Sequence, residues 1–333
     1  IGLLVGYLMH NLVVFDNIIS YIFYGTMLAM IHSRVATPMK SIASYKIDPI
    51  LITQFAAPVV ILVAGFGIYM INVPGIQAAG DMIDALITRE PQERLEAFHT
   101  AFERKSFADQ EIAEQLAQQA MGIARNQNIA QQDRVNMVQR AELELLRLIE
   151  EKPGDARIHN FLSSFYRSIG AIEQSREQSA IAASLSPNKP ALVLEQAVVE
   201  LQEEKLEEAR VLLQKGFELE EKNTQARILY AAVLLRLGQI EEAKELIGED
   251  HMKAFALNDY ALGSAETAGD LEYLAELFTI RMETDLTNPQ YRASLAFIYY
   301  RLEDIDKAIA ILKQAGEDIP SFTEAAACYV GNL

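Results

Sequence analysis

The chain has 333 residues, 50% of them hydrophobic, and a formal net charge of −17 at pH 7. This negative charge repels phosphate backbones, which excludes nucleic-acid binding through electrostatics. A single cysteine, Cys328, excludes an internal disulfide framework and a cysteine-rich zinc site. The five histidines are scattered without metal-ligand spacing, so we expect neither a metal nor a cofactor.

Charge is distributed unevenly along the chain. Residues 1–72 hold only five charged side chains and a net charge of +1, so the rest of the chain carries a net charge of −18. Such a break in composition, near Val73, indicates two regions in different environments. We expect a membrane region over residues 1–73 and a water-exposed region after it.

The membrane region contains two candidate spans. The first, over about 12–31, is interrupted by Asp16, and residues 1–9 look like the end of an earlier helix. The second, over 50–72, contains 22 uncharged residues in a row, and a bilayer core needs about 20. A buried core helix is the alternative for the second segment, but its length and apolarity disfavour it.

Asp16 is a possible functional residue at the membrane interface, because ionisable groups near membrane depth are costly and often functional. The alternative is a position in headgroup water at the start of a helix. Basic residues predict the orientation of the spans: the loop 32–49 carries three, and none lies close after Val73. The positive-inside rule then places this loop in the cytoplasm and the later residues on the outer, periplasmic face.

Turn signals recur in the second region with a period of about 34 residues. Equivalent turns are at Gly170, Glu204, Gly238, Gly269 and Glu303, so the period is constant except for a shorter step before Gly269. The residue five positions after each turn is mostly small, which lets two helices cross closely: Ser175, Ala209, Ala243, Leu274 and Ala308. A helix–turn–helix unit with this period resembles the tetratricopeptide repeat, and one such pair cannot bury its apolar face alone.

We therefore predict an all-α fold in which C-terminal transmembrane helices are followed by an α-solenoid of tetratricopeptide-like helix pairs. Residues 74–153 supply divergent helical pairs that lead into the repeats. The repeats occupy 154–333, with five copies of which the fourth is irregular, and end in a partial final helix.

Repeat solenoids bind partners on the concave face, which the first helix of each pair lines. The repeat spacing places on that face the polar or aromatic residues Arg157, Asn160, Arg167, Gln225, Asp259, Gln290 and Tyr300. It also places there three apolar residues, Leu194, Ile228 and Phe297. The alternative for the apolar residues is a place in the core between repeats.

Two segments resemble a known family. Residues 7–33 (YLMHNLVVFDNIISYIFYGTMLAMIHS) are similar to the last transmembrane helices of the O-antigen ligase/polymerase family of bacterial membrane glycosyltransferases. Residues 98–118 (FHTAFERKSFADQEIAEQLAQ) are similar to the segment that joins the final span to tetratricopeptide repeats in such proteins. The resemblance implies the C-terminal part of a plasma-membrane enzyme that transfers a lipid-linked glycan to an acceptor at the outer face. The family's catalytic arginine and histidine residues lie in an external loop before the final helices, so the resemblance implies no catalytic residue in this chain.

Two functions follow from these patterns. The first is the C-terminal part of an O-antigen ligase-like enzyme, whose repeats bind a protein partner, a glycan or a lipid-linked substrate outside the membrane. The second is a membrane-anchored repeat scaffold without catalysis, which gathers the proteins of a cell-envelope assembly complex. In both, the chain is an integral membrane anchor joined to an interaction module.

Overall fold

The computed structural model describes residues 18–36 and 48–332, with side chains over 21–36 and 48–331. The described residues form helices and no β-strand, which confirms the all-α prediction for this part of the chain. The chain separates into two compact units, Ile1–Val73 and Pro74–Leu333.

The first unit contains α1 (Ile18–Val35), the short α2 (Pro49–Leu51), a π-helical turn (Ile52–Ala56) and the start of α3 (Ala57–Ile87). Among the described residues, one helix is long and apolar enough to cross a membrane, judged by length and composition alone. It runs for 39 residues over Pro49–Ile87.

Two spans were predicted, and the described residues contain one such helix, which includes the second span at 50–72; the first span, over about 12–31, begins outside the described residues. α1 has 18 residues, and its last turn carries His32 and Arg34. The apolar stretch that ends at Ile31 is shorter than the roughly 20 residues that a bilayer core requires. The predicted helix end at 1–9, Asp16 and most of the loop 32–49 lie outside the described residues.

The second unit opens with helices that pack around Phe98, Ile112, Leu116 and Met137, all with no exposed surface. These helices are the end of α3, which runs past the predicted limit at residue 72, then α4 (Pro91–Glu103), α5 (Asp109–Ile123) and α6 (Gln131–Glu151). They correspond to the divergent pairs predicted over 74–153.

Five helix pairs follow, and the first and second helix of each pair alternate along the chain. They are α7 (Ala156–Ile169) with α8 (Ile172–Leu185), α9 (Pro190–Gln202) with α10 (Leu206–Leu219), α11 (Thr224–Arg236) with α12 (Ile240–Ala256), α13 (Asp259–Ala268) with α14 (Leu271–Thr284), and α15 (Pro289–Arg301) with α16 (Ile305–Asp318). A 3₁₀ turn (Pro320–Phe322) then leads into α17 (Thr323–Asn332), the predicted final helix.

The turn inside each pair has the same backbone conformation. All five predicted turn residues have a left-handed φ, between 59° and 84°: Gly170, Glu204, Gly238, Gly269 and Glu303. In four of them the next N–H bonds back to the carbonyl five residues earlier, as from Gln239 to Leu234 at 2.9 Å. This is the hydrogen bond of a Schellman helix end. The spacing predicted that these five turns are equivalent, and their backbone dihedral angles confirm it.

The residues that follow each turn by five positions are all buried, at 4% exposure or less. In the first pair this position is Ser175, whose hydroxyl donates to the Ser163 carbonyl at 2.9 Å, while Ser163 Oγ donates to the Ser175 carbonyl at 2.9 Å. Both buried hydroxyls are therefore satisfied, and a polar residue fits where the other pairs carry alanine or leucine.

The irregularity of the array lies between the third and fourth pairs. Gly248 interrupts α12 with φ 53° and ψ −173°, a combination that only glycine adopts at little cost. The residues after this break return to a helix and bury Phe255 and Ala256 in the core. The shorter step between the turns at Gly238 and Gly269 comes from the next helix, α13, which has 10 residues where the other first helices have 13 or 14.

Candidate partner-binding face

Four of the first helices, α7, α11, α13 and α15, carry the residues predicted to bind a partner. We call these residues the first-helix face: Arg157, Asn160, Arg167, Gln225, Asp259, Gln290, Phe297 and Tyr300. The structure places each of these on a first helix, half-buried or exposed.

The N-terminal part of the face is polar and partly paired. Arg157 is exposed, and its Nη2 lies 3.8 Å from Glu114 Oε1. Arg167 Nε donates to Glu195 Oε1 at 3.1 Å, and the same oxygen accepts from Ser164 at 3.0 Å. These contacts fix the side chains of α7 against those of α9.

Asn160 is half-buried between these two arginines along α7. Its Oδ1 is buried and accepts no hydrogen bond from any described residue. Buried amide oxygens in native proteins are nearly always satisfied by protein, water or ligand. Because this oxygen has almost no accessible surface, Asn160 is not offered to a partner through its Oδ1.

The middle of the face offers fewer residues to a partner than predicted, because two apolar residues belong to the core. Leu194 and Ile228 are exposed by only 8% and 7% and pack within the largest apolar cluster. The core alternative thus holds for both. Gln225 is exposed.

The C-terminal part of the face carries exposed aromatic side chains. Phe297 and Tyr300, three residues apart on α15, are 60% and 42% exposed. Gln290 is exposed at the start of the same helix, where its N–H donates to the capping side chain of Asn288 at 3.0 Å. Asp259 lies on α13 and accepts from Arg281 Nη2 at 2.5 Å.

A network of ion pairs, which the repeat pattern did not predict, joins the first and second pairs. Arg176 on α8 donates to Glu173 at 2.5 Å, to Glu200 at 2.9 Å and to Glu203. Hydrogen bonds from Lys205 and Arg176 lower the pKa of Glu203, and the bond to Glu203 raises the pKa of Lys205. One signal was present in the sequence: a lone arginine in α8 opposite the acidic end of α9.

The arrangement suits binding more than chemistry. Arginine and aromatic side chains are the residue types that most often dominate protein–protein interfaces. The first-helix face offers both, with the arginines concentrated on α7 and the rings on α15.

Comparison with known proteins supports the repeat assignment. Residues 200–250, which contain the turn at Gly238, match the tetratricopeptide repeat family model. No curated protein matches the chain.

The solved structures that resemble part of this chain include MamA, YrrB and PilF. A fragment of MamA from Desulfovibrio magneticus RS-1 is 19% identical with a TM-score of 0.41, covering 49% of this chain and 93% of that one. YrrB, described as a TPR protein with an unusual peptide-binding site, is 19% identical with a TM-score of 0.40, covering 57% and 98%. PilF from Pseudomonas aeruginosa is 15% identical with a TM-score of 0.44, covering 64% and 94%. The family match and the five equivalent turns agree: the second unit is a scaffold of tetratricopeptide-type helix pairs.

Proposed function

We propose that the chain is a membrane-anchored interaction module, whose tetratricopeptide-type unit binds a protein partner close to the bacterial inner membrane. The observation that carries the membrane part is the exposed apolar surface of the helix over Pro49–Ile87. Its large side chains are mostly more than half exposed, among them Leu62 at 71%, Phe66 at 65% and Ile71 at 66%. An apolar surface of this extent is unfavourable in water and suits the hydrocarbon core of a bilayer.

Flotation on lipid vesicles tests the anchor. Each lysine at the centre of a membrane helix costs about 2.5–3.5 kcal/mol of insertion free energy. The double variant Leu62→Lys/Phe66→Lys should therefore remain at the bottom of the gradient while the wild-type chain floats. The matched control Val211→Lys/Leu286→Lys adds the same charge at two exposed apolar positions of the repeats and should float. Flotation of the first variant would rule out this helix as the anchor.

The first-helix face supports a protein partner. Its exposed rings on α15 and exposed Arg157 on α7 are large side chains that bury much surface when a partner covers them. Single exposed apolar residues are ordinary on protein surfaces, but Phe297 and Tyr300 lie one helical turn apart and would contact the same ligand.

A finer proposal concerns the parent protein. The similarity of residues 7–33 and 98–118 to O-antigen ligases supports the proposal that this chain is the C-terminal part of a membrane glycosyltransferase. In this proposal the repeats lie on the periplasmic face and bind an acceptor, a glycan or an assembly partner. The second candidate, a scaffold without catalysis, requires only the anchor and the repeats.

Topology separates these two candidates. Cys328, the only cysteine of the sequence, is exposed on α17 and can report the location of the repeats. Spheroplasts are treated with a membrane-impermeant maleimide, with Cys328→Ser as the control for background. Labelling of intact spheroplasts is the result expected for a ligase-like protein, whose lipid-linked substrates lie outside. Labelling only after permeabilisation would place the repeats in the cytoplasm and favour the scaffold.

A further inference from the structure

A groove of about 630 Å³ lies beside the second helix of the fourth pair and contains no residue of the first-helix face. Its apolar lining includes Met252 from α12, Ala275 and Ile280 from α14, and Leu302 at the end of α15. These four side chains are buried or half-buried and form the floor, and the volume of the groove is large enough for one aliphatic side chain and its neighbours.

The groove coincides with the irregular part of the array. Met252 belongs to the segment of α12 that follows the break at Gly248, and the same segment buries Phe255 against Tyr273, with ring centroids 6.3 Å apart. The break thus redirects the end of α12, so that one face of the segment fills the core and Met252 lines the groove.

One wall of the groove carries two carboxylates without a counter-ion. Glu272 and Glu276 are exposed, four residues apart on α14, and form no ion pair with any described residue. Like charges at this spacing on a helix repel each other. A cation bound between them would relieve that repulsion.

The opposite wall is already neutralised. Asp304 caps α16 and lies 3.2 Å from the Lys307 ammonium, which in turn lies 5.0 Å from the centre of the Tyr299 ring. The backbone N–H of Lys307 donates to Asp304 and lowers the pKa of that carboxyl. The unbalanced charge of the groove is therefore negative and confined to the α14 wall.

We propose that this groove binds a cationic segment of a partner protein, with an aliphatic side chain on the apolar floor and a lysine or arginine beside Glu272 and Glu276. Charge disfavours three other classes of occupant. Nucleic acid and anionic lipid are negative, and a second copy of this chain carries a net charge of −17. The groove is a second binding site, independent of the first-helix face.

Fluorescence anisotropy tests the proposal with the full chain in phosphatidylcholine nanodiscs. The probe is a fluorescein-labelled peptide Gly-Ser-Lys-Leu-Lys-Arg-Gly-Ser, and empty nanodiscs correct for lipid binding. The double variant Glu272→Gln/Glu276→Gln should weaken binding roughly three- to tenfold, the range expected for two exposed ion pairs.

The preceding pair offers a matched control. Glu241 and Glu245 occupy the equivalent positions of α12, three and seven residues after the turn at Gly238, and both are exposed. The variant Glu241→Gln/Glu245→Gln changes the net charge equally and should alter the dissociation constant less than about twofold. An equal loss in both double variants would show attraction to the acidic surface as a whole and would overturn the proposal.

Two further results distinguish this groove from the face proposed above. A peptide with serine in place of leucine should bind at least about threefold more weakly, because it leaves the apolar floor uncovered. Equal binding of the two peptides would contradict a role for the floor. Phe297→Ala/Tyr300→Ala should leave peptide binding unchanged, and a loss of binding there would assign the peptide to the first-helix face instead.

Discussion

Arg281 donates from Nη2 to Asp259 Oδ1 at 2.5 Å, and from Nε to the Ala256 carbonyl at 2.6 Å. It lies twelve residues after the turn at Gly269, where three of the other pairs carry a small buried residue: Ala182, Gly216 and Ala315. Its guanidinium also lies 5.3 Å from the centre of the Tyr291 ring. One buried arginine therefore joins α14 to the end of α12, the start of α13 and the start of α15.

Replacing Arg281 with alanine should destabilise the repeats by about 1–3 kcal/mol, because the Ala256 carbonyl then lies buried without a donor and the side chain leaves a cavity. Urea unfolding of the detergent-solubilised chain, followed by circular dichroism, measures the effect. The control Arg301→Ala removes an exposed arginine and should change the free energy of unfolding by less than about 0.5 kcal/mol. Equal stability of the two variants would show that the Arg281 contacts contribute nothing.

The left-handed turns predict that two substitutions change the stability of the chain in opposite directions. Gly238→Ala forces a Cβ onto a residue with φ 79° and should destabilise the chain by about 1–2 kcal/mol, although no side chain lies within 4 Å of the new atom. Glu303→Gly relieves the same strain at φ 63°, but the greater flexibility of glycine in the unfolded chain offsets part of that gain, so the change should be neutral or stabilising by up to about 1 kcal/mol. Thermal unfolding of both variants measures whether each one is less or more stable than the wild-type chain. A destabilisation by Glu303→Gly would show that the glutamate side chain, and not the backbone, sets the energy of this turn.

The periodic features of the repeats could be predicted from the sequence, because each depends on residue size at a fixed distance from a turn. The turn at Glu204 illustrates this: glutamate has no preference for a left-handed φ, yet its position one repeat period from both Gly170 and Gly238 identified it. The break at Gly248 could not be predicted, because an exposed glycine inside a helical pattern does not reveal its dihedral angles.

The binding face could be predicted only in part, for a physical reason. The repeat spacing predicts in which direction a side chain of a first helix points. It does not predict whether a neighbouring helix buries that side chain. Leu194 is covered, with a side-chain atom 3.0 Å from the Cβ that Gly216 lacks, whereas Phe297 on α15 is left exposed. The membrane part shows the same limit: apolarity predicted a span over 50–72, but the helix that contains it continues to Ile87, because residues such as Ala78 and Ala85 pack in a core.

The contacts of Asp270 predict how the stability of the chain depends on pH. It caps α14 by accepting from the Tyr273 N–H at 2.9 Å, and it lies 2.6 Å from Lys244 Nζ. Burial alone would raise the pKa of Asp270, but the hydrogen bonds from Lys244 and Tyr273 outweigh it and lower the pKa below its usual value. The stabilisation is therefore present above the unfolded pKa, near about 3.9, and is lost as the pH falls through the folded value.

Asp270→Asn keeps a capping side chain but removes the charge, so it should cost about 0.5–1 kcal/mol at pH 7. The difference from the wild-type chain should begin to shrink below about pH 4, where the unfolded carboxyl takes up a proton, and should be lost once the pH falls below the lowered folded pKa. Urea unfolding at pH 7, 5 and 3 measures it, with the exposed Glu249→Gln as the control. A difference as large at pH 3 as at pH 7 would assign the effect to capping geometry and not to charge.

Site-specific photo-cross-linking tests which side of the repeats meets the partner in cells. p-Benzoylphenylalanine at position 297 should form an adduct with the partner, because the wild-type side chain there is 60% exposed on the first-helix face. The same photo-reactive residue at position 211, where the wild-type valine is 57% exposed on the second helix α10, is matched in accessibility and should form none. Adding Tyr300→Ala to the position-297 variant should reduce the adduct, since the neighbouring ring contributes to the same contact. Adducts of equal yield at both positions would mean random collision at exposed apolar sites, and would remove the first-helix face as the place where a partner binds.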